Sequence, residues 1–322
     1  MKHLLAYALM LAQGMALPAV AAPYQPQSTV DGEIRVWGSP DDAALLARWG
    51  EGFRQLQPKA HLKATLHGPD SAMAGLYTDV ADLAFIGREL RLPVESMAFE
   101  WTKLRKPAVV DVANAGIAAQ RVAANLAVFV HPDNPLAGLT LQQLDAVFGA
   151  EHKRGAAANA RTWGDLGLSG LWAARQIRVL APPVDSIPGL FFRRAVMLNS
   201  FKWNPALEEM ASETQALAVL ASDPAAIVVA PMAIATPAVK ALPLAAKAGE
   251  PFVPLTRASA ADHSYPLART VHIAYDHKLT PPVREFLAYV LSDEGQAAVA
   301  AEGGYLPLLP EQALASLKGL AP

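Results

Sequence analysis

The sequence predicts an α/β fold built as two lobes, each a mostly parallel sheet covered by helices. Three observations carry this: a strand-then-helix rhythm from Glu33 onward, a second and smaller run of the same rhythm after His131, and a length of 322 residues, for which the prior is about two domains. Hydrophobic residues make up 52% of the chain and aromatics only 7%. The apolar content is therefore mostly Ala, Leu and Val, the mix of an ordinary water-soluble α/β protein.

The elements follow in order. Lys2 precedes an apolar run from Leu4 to Ala12, and Ala19-Val20-Ala21 has the small-x-small form that signal peptidase reads, so residues 1–22 are expected to be a secretory signal peptide. Glu33 to Val36 reads as a strand, and Asp41 to Gln57 places Leu45, Trp49, Phe53 and Leu56 on one helical face. His61 to His67 alternates, with Leu62, Ala64 and Leu66 on one side, and "GPDS" breaks the run before a short helix. Ala81 to Ile86 reads as a buried strand, Pro93 to Leu104 as a helix and Val109 to Ala113 as extended. Leu126 to Val130 is a continuous apolar run of the kind that crosses between lobes.

The second unit opens at "HPDNPLAGLT", where Thr140 and Gln143 form a T-x-x-Q capping box ahead of Leu144, Val147 and Phe148. Ile177 to Leu180 is a strand, Ile187 to Leu198 a helix, and Ala225 to Val229 a strand ended by Pro231. Further on come "RTVHIAYD" and a helix opened by Thr280 and Pro281.

Several function classes drop out. With 27 basic residues against 29 acidic ones and no basic block, nucleic acid is not an expected partner. There is no cysteine, hence no disulfide, no thiolate metal site, no cysteine nucleophile and no lipidated Cys to tether an exported chain. The expected location is the periplasm, with release to the medium second. No G-x-S-x-G, Walker, H-E-x-x-H or EF-hand pattern occurs, so no catalytic residue, metal or cofactor is assigned. His61 and His67 share a strand face without a third ligand, and His272 and His277 flank a strand with no better case.

What remains is a set of strand-to-helix loops, each with a serine: "WGSPDD" with Ser39, "HGPDS" with Ser71 and "VDSIPG" with Ser186. A helix start offers unpaired N–H groups and a positive dipole end, and in an open α/β sheet such loops lie at the carboxyl ends of the strands, where ligands bind. Capping explains Ser39, Asp70 and Ser71 equally well, since Ser39 is followed by Pro40 and two acids. Arg88, directly after a strand, either enters the same crevice or pairs with Glu89 on a solvated turn.

"LAVFVHPDNPLAGLTLQQLDAVFG" with "TWGDLGL", then "SDPAAIVVAP", "VKALPL", "YPLARTVHIAY" and "FLAYVLSDEGQAAVAAEGGYLPL", resemble in order the phosphate-binding, PstS-like branch of type II periplasmic binding proteins. The resemblance implies two lobes joined by two crossing segments, with 31–125 plus 236–322 as lobe 1 and 126–235 as lobe 2. It also implies a monomer holding a small oxyanion, phosphate first, and serving the membrane subunits of an ABC importer. Carried across by position, the binding residues are Gly38 and Ser39, Asp70 and Ser71, Gly87 and Arg88, and Asp185, Ser186, Ile187 and Gly189. The serines would donate hydroxyl hydrogen bonds, N–H groups near Gly38, Ala72, Ile187 and Gly189 would add more, and Arg88 would neutralise charge. Phe192 stands where the family has an aromatic.

The departures are specific. Pro182 occupies the family's arginine position, and Ser-Gly-Thr becomes Ser186-Ile187-Pro188. Pro40, Pro69 and Pro188 each remove an N–H from a loop, and Asp41, Asp42, Asp70 and Asp185 face a single obvious counter-charge, Arg88. A divergent receptor that has lost tight phosphate binding and takes another ligand or a membrane partner is the alternative. An exported hydrolase comes third, because no base stands beside any candidate nucleophile.

Overall fold

The computed structural model describes residues 22–118 and 121–320. The expected signal peptide, apart from Ala22, lies outside the described residues.

The chain opens with β1 (Asp31–Gly38), α1 (Ala43–Leu56), β2 (Lys59–Leu66), α2 (Pro69–Tyr77), β3 (Leu83–Phe85), α3 (Val94–Lys103) and β4 (Ala108–Asn114). It crosses to a second lobe comprising β5 (Leu126–Val130), β6 (Leu139–Thr140), α4 (Leu141–Phe148), β7 (Arg178–Ala181), α5 (Ile187–Ala195), β8 (Glu208–Glu209), α6 (Glu213–Leu220), β9 (Ala226–Pro231), β10 (Lys240–Leu242), β11 (Leu244–Ala245) and α7 (Arg257–Ala261). It returns through Arg269 to β12 (Thr270–Tyr275), α8 (Pro281–Val290), α9 (Asp293–Glu302) and α10 (Pro310–Gly319).

One sheet has the order β2-β1-β3-β12-β4 and the other β10-β5-β9-β7-β8. In the first, β1 is parallel to β2 and β3 while β12 is antiparallel to both β3 and β4. In the second, β7 is parallel to β8 and β9 while β5 is antiparallel to β9 and β10. Each sheet is thus mostly parallel, as expected, with one reversed strand. That strand is the first the chain enters after a crossing. It starts at the cleft and runs outward, whereas the βα units run toward the cleft and leave their loops there.

Two expectations change. Leu126 to Val130 is not itself a crossing: all five residues are buried as an inner strand of the second sheet. The chain also does not re-enter lobe 1 at residue 236. Lys240 to Leu242 pair with Val128 to Val130, and Leu242, Leu244, Tyr265 and Leu267 pack into the second lobe's core. The return lies near Arg269, because β10 supplies the hydrogen bonds that one edge of β5 would otherwise lack.

Local chemistry accounts for the helices. α1 buries Leu45, Leu46, Trp49 and Phe53 against the first sheet, while Leu56, expected on that face, is 46% exposed in the last turn. The capping box of α4 forms: Thr140 Oγ1 accepts from the Gln143 N–H at 3.1 Å, and Gln143 Oε1 accepts from the Thr140 N–H at 3.0 Å.

Candidate ligand-binding cleft

The three lobe 1 loops are held together by backbone contacts. The Gly68 N–H donates to the Gly38 carbonyl at 2.9 Å, which joins the loop after β1 to the start of α2. Gly38 is packed so closely that a Cβ there would lie 3.1 Å from the Phe85 carbonyl oxygen, at the end of β3. Gly87 takes a positive φ of 67°, a conformation that suits glycine, and turns the chain into Arg88.

Ser39 is buried and caps the turn after β1, its Oγ accepting from the Asp41 N–H at 3.3 Å. That contact uses an acceptor site and leaves the hydroxyl proton for a ligand. Ser71 is in the opposite state: its Oγ donates to the Gly68 carbonyl at 2.7 Å. In lobe 2, Ser186 caps α5 by accepting from the Gly189 N–H at 3.2 Å, so that N–H is committed within the helix start. Gly189 itself is tightly enclosed, with the Val184 carbonyl oxygen 2.8 Å from where a Cβ would stand. Asp185 is exposed and Ile187 half-buried. Phe192 belongs to the core, with its ring 5.0 Å from Phe148 and stacked on Trp203 at 6.1 Å.

Arg88 does reach the cleft, but with its charge already matched. Its side chain is 1% exposed, and Nη1 and Nη2 donate to the two Glu95 oxygens at 2.9 and 2.6 Å. Nη2 also donates to Asp70 Oδ1 at 2.9 Å, and Arg91 pairs with both acids. Burial works against the Arg88 charge, yet Glu95 and Asp70 outweigh it and hold its pKa above the ordinary value. Only Nε is left without a partner.

Glu89 turns away from Arg88 to meet Arg269, as Arg269 Nη2 donates to Glu89 Oε2 at 2.7 Å and Nε to Oε1 at 3.1 Å. Behind the β1 loop, Asp42 is 1% exposed, accepts from the Tyr305 hydroxyl at 2.8 Å through Oδ1, and has no partner for Oδ2. Burial pushes its pKa up to about 6, against the opposing pull of Tyr305 and Arg121. Arg269 and the environment of Asp42 had no local sequence signal, because their partners Glu89 and Tyr305 are brought near only by folding, whereas the i,i+4 spacing of Arg91 and Glu95 was a local signal that sequence reasoning missed.

Between the 88–93 loop and α5 with Asn199 and Phe201 lies a cavity of about 380 Å³. Of the predicted residues it is lined by Arg88 and Ile187; the serines and the remaining loop residues do not line it. A cavity of similar size, about 400 Å³, lies away from the cleft beside α8 and α10. Its buried acid Glu285 is satisfied by the Tyr24 hydroxyl and the Gln27 and Ser28 N–H groups. Among the described residues no group of three His, Asp or Glu side chains could hold a metal ion.

A family model described as a PBP superfamily domain matches residues 23–294. The chain belongs to the PBP superfamily. The phosphate-binding protein PstS of Pseudomonas aeruginosa is 32% identical over 332 residues, covering 99% of each chain. Two solved relatives share the fold at lower identity. An ABC-type phosphate transport receptor from Vibrio cholerae has a TM-score of 0.58 at 20% identity, over 86% of this chain and 100% of that one. PstS from Borrelia burgdorferi has a TM-score of 0.60 at 14% identity, over 86% and 99%. In this PBP-superfamily chain the polar groups of the strand-end loops are largely satisfied by one another, Ser71 by Gly68, Ser186 by Gly189 and Arg88 by Glu95 and Asp70.

Proposed function

We propose that the chain is a periplasmic solute-binding receptor of the phosphate or oxyanion type that delivers its ligand to an ABC importer and performs no covalent chemistry. The observation that carries this is full-length similarity to PstS, combined with a cavity that the loop after β3 and the start of α5 line from the two lobes. Ser39, with its free hydroxyl proton, and the Ile187 N–H at the start of α5, on the cavity wall, are the donors this reading assigns to an oxyanion. Export by the N-terminal segment and action as a monomer belong to the same reading. Titration calorimetry with phosphate, sulfate and molybdate tests it: saturable binding of one of them, weakened in Ser39→Ala, is expected. No heat and no thermal shift with any of them at millimolar concentration would remove the oxyanion reading.

The Arg88 cluster favours a second reading, a receptor of the same fold that no longer holds phosphate tightly. A dianion approaching Arg88 meets a guanidinium already bound to Glu95 and Asp70. Prolines at the starts of α2 and α5 also take N–H donors away from the cleft.

A further inference from the structure

The charges lining the cleft are matched on one wall only. In lobe 1 and at the returning crossing, Arg88, Arg91 and Arg269 face Glu95, Asp70 and Glu89, three cations against three carboxylates. On the α5 wall, Arg193 and Arg194 line the cavity, and among the described residues the cleft's ion pairs leave both out. Arg193 is the more constrained. Its Nε is buried with no hydrogen-bond partner, and its guanidinium lies 3.8 Å from the centre of the Phe201 ring. Burial alone acts on it and lowers its pKa, with no carboxylate opposing. A desolvated donor of this kind favours an anion that can approach it.

The rest of the cavity is largely apolar. Leu90, Leu92 and Pro93 contribute one side, and Ile187, Leu190 and Phe191 the other. At about 380 Å³ it is far roomier than a tetrahedral ion of five heavy atoms requires, and it falls in the range of about 300–1,000 Å³ typical of small-molecule sites. Phe201 is 73% exposed and lines the cavity with the Arg193 guanidinium against its ring, so an apolar surface stands beside the unmatched charge.

We propose that this cavity binds an organic anion, with a carboxylate or phosphate head on Arg193 and an alkyl or aryl body laid along Leu90, Phe191 and Phe201. The inference rests on the receptor reading and not on inorganic phosphate as the ligand. It also places the head group on the second half of α5, away from the Ser186 cap.

The test uses octanoate, phenyl phosphate and inorganic phosphate as probes on the mature full-length chain, read by calorimetry and thermal shift. At least one organic probe is expected to bind, and Arg193→Leu to weaken it by about tenfold or more, the loss carried by one charge-assisted hydrogen bond. Phe201→Ala, at an exposed position, is expected to weaken the same probe without lowering stability, so the proposal is tested even if Arg193→Leu folds poorly. Octanoate against phenyl phosphate identifies the head group. Failure of both organic probes overturns the inference, as does equal binding by wild type and both variants. Binding of inorganic phosphate alone overturns it too while leaving the oxyanion receptor intact, and organic binding without phosphate binding does the reverse.

Discussion

Arg269 and Glu89 form a two-pronged ion pair, at 2.7 and 3.1 Å, where the chain returns from lobe 2 to lobe 1. The same arginine donates through Nη1 to the Ala124 carbonyl at 3.0 Å, and its backbone N–H to Asn125 Oδ1 at 3.0 Å, both on the outgoing crossing. Its guanidinium also lies 4.4 Å from the centre of the Phe191 ring, on α5. One side chain thus links both crossings, the loop after β3 and the lobe 2 wall of the cleft.

Removing one partner of this pair leaves a buried charge unmatched. Arg269→Met is expected to lose about 3–5 kcal/mol in urea unfolding, and the double variant Arg269→Met with Glu89→Gln to lose less. If the double variant is the less stable of the two, Glu89 is not the partner that matters.

The pair also sets an acid limit. Burial would raise the Glu89 pKa, but the Arg269 charge outweighs it and holds the carboxyl below its ordinary value. A lowered folded pKa gives stability that is full above the unfolded value of about 4.3 and is lost as pH falls through the folded one. Wild type should therefore lose stability below about pH 4 more steeply than Glu89→Gln, as urea midpoints across pH 3–6 would show.

Asp42 has the opposite sign. Its folded pKa is raised to about 6, so its contribution is full below the unfolded value of about 3.9 and is lost as pH rises through the folded one. Asp42→Asn keeps an acceptor for the Tyr305 hydroxyl and removes the charge. It is expected to exceed wild type by about 1–3 kcal/mol at pH 8, the difference shrinking toward pH 4. A constant difference across that range would show that Asp42 does not titrate there.

The Ser186 cap is a local contribution. Ser186→Ala is expected to cost about 1 kcal/mol and Ser186→Thr much less, measured by thermal unfolding without ligand. Equal losses in the two variants would mean that the side chain serves something other than the cap.

Gly116, on the outgoing crossing, is packed against backbone: a Cβ there would lie 2.0 Å from the Gly304 carbonyl oxygen. Gly116→Ala should cost about 1–3 kcal/mol or more through overpacking. Gly319→Ala, with nothing within 4 Å, serves as the neutral control.

Periodicity and capping chemistry were enough to place most strands and helices, because they depend on neighbours three or four residues away. Thr140 with Gln143 and Ser186 ahead of α5 cap their helices, whereas Ser39 caps only the short 3-10 turn before α1, and Asp70 and Ser71, expected as caps, lie inside α2, which has no side-chain cap. The serine loops at the strand ends were legible for the same reason, and with them the two-lobed class. Tertiary structure alone decided what those loops have left to offer a ligand. The partner of Arg88 is Glu95, seven residues on, and Glu89 finds Arg269 across 180 residues. β10 joins β5 through pairing with Val128 to Val130, which moves the lobe boundary from residue 236 to the neighbourhood of Arg269. Charge matching, burial and strand pairing are long-range, and no local pattern records which carboxylate or strand edge folding will bring alongside.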